Sequence, residues 1–151
     1  EGKTEKEPLK IFGKVTDNGI EQSMGININA VCTRVPVVDG HTAVVHIGFG
    51  DVVPTLGEFK SIISSFTAEP QSLHLPSAPK TPIIVLNEID RPQPKLDRDV
   101  GNGMAVTVGR ITDDTFFNIR FIGLSHNTVR GAAGGAILMA ELLVKKGYIH
   151  A

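Results

Sequence analysis

The sequence is poor in the residues on which several classes of protein depend. Its 151 residues include one cysteine, one tyrosine and no tryptophan, and the formal net charge is −1. One cysteine cannot form an intrachain disulfide, which fits a reducing compartment and predicts a cytoplasmic protein. The near-neutral charge and the few aromatic residues argue against nucleic acid as a partner. No apolar run approaches the ~20 residues that cross a bilayer, so we expect no membrane partner.

Two further absences concern a cofactor-binding motif and the first residue of the chain. The chain has no Gly-x-Gly-x-x-Gly turn after a predicted strand, so it carries no complete dinucleotide site. It starts at Glu1 rather than at a methionine, and we expect it to begin inside a longer protein. What is present, 41% hydrophobic and 21% charged residues, is typical of one globular domain with a single core.

The most informative stretch has two runs rich in β-forming residues around a turn signal. Ile26–Val35 and Thr42–Phe49 flank Asp39–Gly40, and this pattern predicts a hairpin that places Arg34 and His41 on neighbouring strands. An arginine can hold a carboxylate or phosphate with two parallel hydrogen bonds, and a histidine titrates near neutral pH. The pair suits a small anionic substrate that needs a proton moved, although a solvated arginine and a loop histidine fit the pattern as well.

Four segments resemble the aspartate-semialdehyde dehydrogenase family, most closely its archaeal and fungal branch. They follow one another in the family's order, and the resemblance covers residues 1–144. It implies that Arg34 binds the substrate carboxylate and that His41 is the catalytic acid and base. The segments are CTRVPVVDGH at 32–41, PQPKLDRD at 92–99, GNGMAVTVGR at 101–110 and LSHNTVRGAAGG at 124–135.

The resemblance also implies a reaction and a set of partners. The family reduces L-aspartyl 4-phosphate to L-aspartate 4-semialdehyde and phosphate with NADP as cofactor, in the biosynthesis of lysine, threonine and methionine. Lys3 matches a substrate-binding lysine, and Asn127 and Gly131 match residues at the nicotinamide end of the cofactor site. We expect a homodimer or a dimer of dimers. A malonyl-coenzyme A reductase of the same superfamily and a non-catalytic dimerisation module remain alternatives.

The one cysteine does not match the family's nucleophile. That nucleophile lies in an Asn-Cys motif, which this chain lacks, so the chain alone is expected to be inactive. Cys32 shares one face of the predicted strand with Arg34, because side chains along a strand alternate with a period of two. We interpret Cys32 as a small buried apolar residue, and we assign no metal ligands.

The remaining patterns predict an α+β fold. The helix Pro54–Phe66 carries an apolar stripe. The turn signal Asp113–Asp114 joins two predicted strands, Met104–Thr112 and Phe116–Leu124, and Ile83–Leu86 is a shorter strand. We expect a mixed, largely antiparallel sheet of at least five strands with helices on one face. The resemblance implies that this is the fold of the C-terminal domain of glyceraldehyde-3-phosphate dehydrogenases. The charged stretch Asn87–Asp99 is predicted to be a solvated loop, in which an interface role stays unassigned.

The last element is a predicted helix from about Val129 to Lys146, capped by polar residues at 125–128. Three glycines within residues 131–135 predict the close approach of another backbone or a ligand. The helix is apolar almost all round and should be buried on more than one side. The resemblance divides the chain into a catalytic and dimerisation domain, residues 1–125, and a helix, residues 126–151, that returns to an absent Rossmann domain.

Overall fold

The computed structural model describes residues 1–150, which divide into two compact units, Glu1–Pro36 and a second unit from Val37 onward. In the first unit, helix α1 spans Gly2–Ile11 and is followed by the antiparallel strands β1, Lys14–Thr16, and β2, Gly19–Glu21. A turn at residues 18–19 joins these two strands, with Gly19 at φ +119°.

The strand predicted at Ile26–Val35 is wrong, and so is the hairpin built on it. This segment has no strand pairing. Instead, two of its alternate backbone N–H groups reach the carboxylates of α1 and its N-cap: Ala30 N–H donates to Glu5 Oε1 at 3.0 Å, and Cys32 N–H donates to Glu1 Oε1 at 3.1 Å. A β-rich composition makes a strand only where a second strand supplies the ladder.

The second unit is built on a mixed sheet with the strand order β3-β6-β5-β4. Strands β3, β6 and β5 are antiparallel neighbours, and β4 pairs with β5 in parallel. The α+β fold with a mixed, largely antiparallel sheet is confirmed, but in the described residues this sheet has four strands rather than five or more. The strands are β3 at His41–Ile47, β4 at Ile83–Val85, β5 at Val106–Asp113 and β6 at Ile119–Ser125.

The core lies between one face of this sheet and helix α2, Leu56–Ser64. The helix begins at a capping box, in which Thr55 Oγ1 accepts from Glu58 N–H at 3.2 Å and Glu58 Oε2 accepts from Thr55 N–H at 2.8 Å. The predicted helix in this stretch is therefore confirmed. The core side chains are Phe59, Val108, Ile111 and Ile119.

Two shorter helices and a composite C-terminal helix complete the second unit. Helices α3 and α4 span Glu69–Ser72 and Pro94–Asp97. The C-terminal helix begins as a π-helical turn, Val129–Ala133, and continues as α5, Gly134–Lys145. In residues 1–150, every helix falls short of the length and apolar character that a membrane crossing requires.

Gly134, in the C-terminal helix, has a steric reason to be glycine. A Cβ on Gly134 would lie 2.4 Å from Met104 Sδ, so the absence of a side chain lets Met104 pack beside Leu138 in a second core cluster. At Gly134, the group that approaches closely is the Met104 side chain, whereas the sequence predicted another backbone or a ligand. The expected burial on several sides is not met, because Ile137 and Met139 remain about half exposed in the described residues.

Candidate active site

The first residue of β3 is His41, and its imidazole is exposed. Its cross-strand partner is Ser125, the last residue of β6. The antiparallel register therefore places His41 beside the segment that leads from the sheet into the π-helical turn. Asn127 lies in that segment and Gly131 lies within the turn. Three of the residues singled out in the sequence thus belong to one end of the sheet.

The turn before His41 is fixed at its last residue, Gly40. Gly40 is buried at φ +112°, and its N–H donates to Asn127 Oδ1 at 2.7 Å. A Cβ at this position would lie 3.1 Å from Leu124 Cδ1 and 3.2 Å from Pro94 Cβ. Only glycine combines this backbone conformation with so little space. The predicted turn residue is therefore essential, although the turn leads into β3, which pairs with β6, and does not form a hairpin.

A second link joins the same two segments. Thr128 Oγ1 donates to Asp39 Oδ1 at 3.4 Å, next to the bond between Gly40 and Asn127. The start of the C-terminal helix and the start of β3 are therefore held together at two successive residues on each side. Hydrogen bonds between segments that are distant in the sequence restrict both segments.

His126, which the sequence analysis did not single out, is buried directly before Asn127. Its Nδ1 accepts from Val129 N–H at 3.3 Å, and its Nε2 lies 3.5 Å from Asp99 Oδ1. Because Nδ1 accepts from a backbone N–H, the neutral ring carries its proton on Nε2, towards the carboxylate. A histidine next to a residue already singled out was the available signal.

The charged loop before α4 is closed by a buried ion pair. The Asp97 carboxylate is buried and accepts from Arg91 Nε at 2.7 Å, from Arg91 Nη2, and from Gln93 N–H at 2.6 Å. The hydrogen bonds from Arg91 hold the pKa of Asp97 below its ordinary value and raise the pKa of Arg91. The predicted solvated loop is correct for exposed members such as Asp90 and Lys95 but wrong for Asp97.

The other two site residues proposed from the sequence, Arg34 and Lys3, lie in the first unit, and both are exposed. Each lies two residues from the hydrogen bond between Cys32 N–H and Glu1 Oε1, so this bond brings the segments that carry the two cations together. Cys32 itself is exposed, so the prediction of a buried cysteine is wrong. The segment that bears it packs on α1 through its backbone, and that leaves the side chain outside.

The arrangement in the second unit suits proton transfer. An exposed imidazole stands on a backbone that is fixed by the sheet ladder, by Gly40 and by the Asn127 amide. A general acid or base needs this kind of support, because it must reach a bound ligand within hydrogen-bonding distance. Asn127 engages Gly40 through Oδ1, which leaves its amino group as a donor for a ligand.

Comparison with known proteins gives the chain a family. A family model described as the semialdehyde dehydrogenase dimerisation domain matches residues 1–130. An aspartate-semialdehyde dehydrogenase from Archaeoglobus fulgidus is 49% identical over 99% of this chain and 42% of its own length. A malonyl CoA reductase (NADP) from Metallosphaera sedula is 44% identical over 99% of this chain and 42% of its own length.

Among solved structures, aspartate-semialdehyde dehydrogenase with NADP from Candida albicans matches with a TM-score of 0.88 and 40% identity. The match covers 99% of this chain and 43% of that one. The chain thus spans less than half the length of these relatives. Since the family model covers residues 1–130 and the fold agrees, the chain belongs to the semialdehyde dehydrogenase family and contains its dimerisation domain.

Proposed function

We propose that this chain is the C-terminal part of an NADP-dependent aspartate-semialdehyde dehydrogenase. The complete enzyme reductively dephosphorylates L-aspartyl 4-phosphate to L-aspartate 4-semialdehyde and phosphate through a cysteine thioester. The observation that carries the proposal is the 49% identity to such an enzyme over almost the whole chain, with His41 on a turn braced by Asn127. The nucleophilic cysteine and the Rossmann domain belong to the remaining part of the enzyme, and the chain alone has no activity.

In this proposal His41 handles the proton. Its imidazole takes the proton from the attacking thiol and returns a proton to the reacting group, a role that suits a ring with one nitrogen that accepts and one that donates. The fixed backbone on both sides of Gly40 limits the positions that the ring can adopt. A group held in this way loses little freedom when it meets the substrate.

Arg34 and Lys3 bind the anionic groups of the substrate. L-aspartyl 4-phosphate carries an α-carboxylate and a phosphate, which call for two cations. The planar guanidinium of Arg34 matches the carboxylate with two parallel hydrogen bonds, and the ammonium group of Lys3 acts as a point charge. The hydrogen bond between Glu1 and Cys32 supports this assignment, because it joins the segments that carry the two residues.

NADPH fits the start of the C-terminal helix. The Asn127 amino group is available as a donor, and Gly131 is exposed with its nearest neighbour, His126 O, 3.8 Å from the site of a Cβ. Asn127 and Gly131 would therefore hold the nicotinamide end of the cofactor, one by a hydrogen bond and the other by leaving space. When bound, the cofactor supplies the hydride of the reduction.

The complete enzyme is proposed to be a cytoplasmic homodimer or dimer of dimers. The family's description as a dimerisation domain supports self-association. The sheet also exposes apolar side chains on β3, where Val44 is 69% exposed. A symmetric pair could bury such a surface. Sedimentation of the complete enzyme measures its assembly.

The test of the proposed function is a substrate panel on the complete enzyme. Oxidation of NADPH is followed with L-aspartyl 4-phosphate and, separately, with malonyl-coenzyme A. Turnover with the acyl phosphate supports the proposal. Turnover with the thioester alone favours the second candidate, which the Metallosphaera sedula relative supports. No turnover with either substrate favours a non-catalytic dimerisation module.

A further inference from the structure

The ion pair between Arg91 and Asp97 lies outside the residues assigned a role in the proposed function. Its carboxylate has no exposed side-chain area, whereas the Arg91 side chain is about one quarter exposed. Three donors from residues 91 and 93 converge on this one carboxylate. A buried ion pair is weak evidence for stability, because desolvation offsets much of the attraction. The contacts made by the loop that it closes point to another use.

One end of the loop packs directly on the sheet. A Cβ on Gly109 would lie 2.4 Å from Arg91 O and 3.0 Å from Pro92 Cδ. The loop backbone therefore touches the backbone of β5 where no side chain separates them. This close approach sets the distance between the loop and the sheet. The hydrogen bonds from Arg91 and Gln93 to Asp97 hold the conformation of the loop.

The other end of the loop touches the turn before His41. Pro94 opens α4, and its Cβ would lie 3.2 Å from a Cβ on Gly40, with its Cα at 3.7 Å. Pro94 thus closes one side of Gly40, while Leu124 Cδ1 and the Asn127 amide close two others. The backbone that leads into His41 is therefore in contact with Pro94, Leu124 and Asn127 on three sides.

We propose that the pair Arg91–Asp97 is a positioning unit for His41, which acts by holding Pro94 against Gly40. The inference rests on the proposed function, because it needs His41 to be the proton carrier. The loop touches Gly40 and not the imidazole, so neither member of the pair is a catalytic residue. When the pair is lost, the loop relaxes, the turn shifts, and the imidazole leaves the position that proton transfer requires.

The test compares Asp97→Asn with Asp114→Asn in the complete enzyme. Asp114 is a matched control, since its side chain is 3% exposed, it accepts from two backbone N–H groups, and it pairs with a cation-forming side chain, His46. It lies at the opposite end of β3. Both variants should lower the melting temperature. Only Asp97→Asn should lower kcat, by about tenfold, with the acid limb of the pH–rate profile displaced.

A second pair of variants serves if Asp97→Asn does not fold. Pro94→Ala keeps the Cβ that touches Gly40, whereas Pro94→Gly removes it. We expect kcat to fall in Pro94→Gly and to stay within about twofold of the wild type in Pro94→Ala. Equal kcat losses in Asp97→Asn and Asp114→Asn, or wild-type kcat in Pro94→Gly, would overturn this inference alone. Wild-type turnover in His41→Ala would overturn it together with the proposed function.

Discussion

The N–H of Gly40 donates a 2.7 Å hydrogen bond to Asn127 Oδ1, across 87 positions of the sequence. This bond joins the start of strand β3 to the start of the C-terminal helix. It therefore connects the candidate proton carrier, His41, with the segment proposed to hold the cofactor. A substitution that disturbs one of these two segments should therefore also change the position of the other.

Loss of the Asn127 side chain should destabilise the fold. In Asn127→Ala the buried Gly40 N–H loses its acceptor, which costs roughly 1–3 kcal/mol of unfolding free energy. Urea denaturation measures the change. Asn118→Ala is the matched control, because Asn118 Oδ1 accepts from Phe49 N–H at the same distance, 2.7 Å, away from His41.

In the complete enzyme the two asparagine variants should differ in activity. Asn127→Ala should raise KM for NADPH and lower kcat, whereas Asn118→Ala should change stability alone. Similar kinetics in the two variants would remove Asn127 from the proposed cofactor site.

A side chain at position 40 should be tolerated poorly. Gly40→Ala introduces a Cβ at φ +112° within 3.2 Å of Leu124 and Pro94. Gly19→Ala is the control, since Gly19 has a similar φ of +119° but no atom within 4 Å of the added Cβ. We expect Gly40→Ala to lose about 1–3 kcal/mol more unfolding free energy than Gly19→Ala, the cost of crowding a packed site. Equal losses in urea denaturation would mean that only backbone conformation matters at Gly40.

Removal of the imidazole should disable proton transfer. His41→Ala in the complete enzyme should lower kcat by roughly 10² or more, the usual effect of losing a general acid or base. The limb of the pH–rate profile that reports this group should disappear. His46→Ala is the control, because His46 lies on the same strand but pairs with Asp114 at 2.5 Å, away from the site. A variant with the wild-type pH–rate profile would contradict the role of His41.

Acid should weaken the second unit through Asp114. The N–H groups of Phe117 and Phe116, with a smaller contribution from His46, lower the pKa of Asp114 to about 2. Because the folded pKa lies below the ordinary value near 4, this stabilisation is present above pH 4 and is lost as the pH falls towards 2. Melting temperatures measured from pH 5 to pH 2 should fall less steeply in Asp114→Asn. An unchanged slope would show that other carboxylates dominate acid unfolding.

The elements that the sequence predicted correctly carry their signals within themselves. Helix α2 has an apolar stripe and a capping box within residues 55–64, and the β5–β6 pair has a turn signal between two alternating runs. In each case the interactions that decide the structure lie within about 20 residues. The position of His41 at the start of a strand followed from the same kind of local pattern.

The errors concern interactions with distant or unrecognised partners. Segment 26–35 has the composition of a strand, but its backbone donors meet two glutamates near the chain start. Asp97 belongs to a charged cluster, and only the convergence of Arg91 and Gln93 buries it. Strand β3 pairs with β6, whose paired residues lie 72 to 84 positions later in the chain. The local sequence pattern limits the conformations that a segment can adopt, and contacts with distant residues select among them.

The outward-facing thiol of Cys32 makes a clean attachment point for a spectroscopic probe. The chain has no second cysteine, so a maleimide reagent would modify one place, two residues from Arg34. A fluorophore or nitroxide there would sense whether an anion settles on that guanidinium. Ligand binding near Arg34 could then be titrated directly through the signal of the probe.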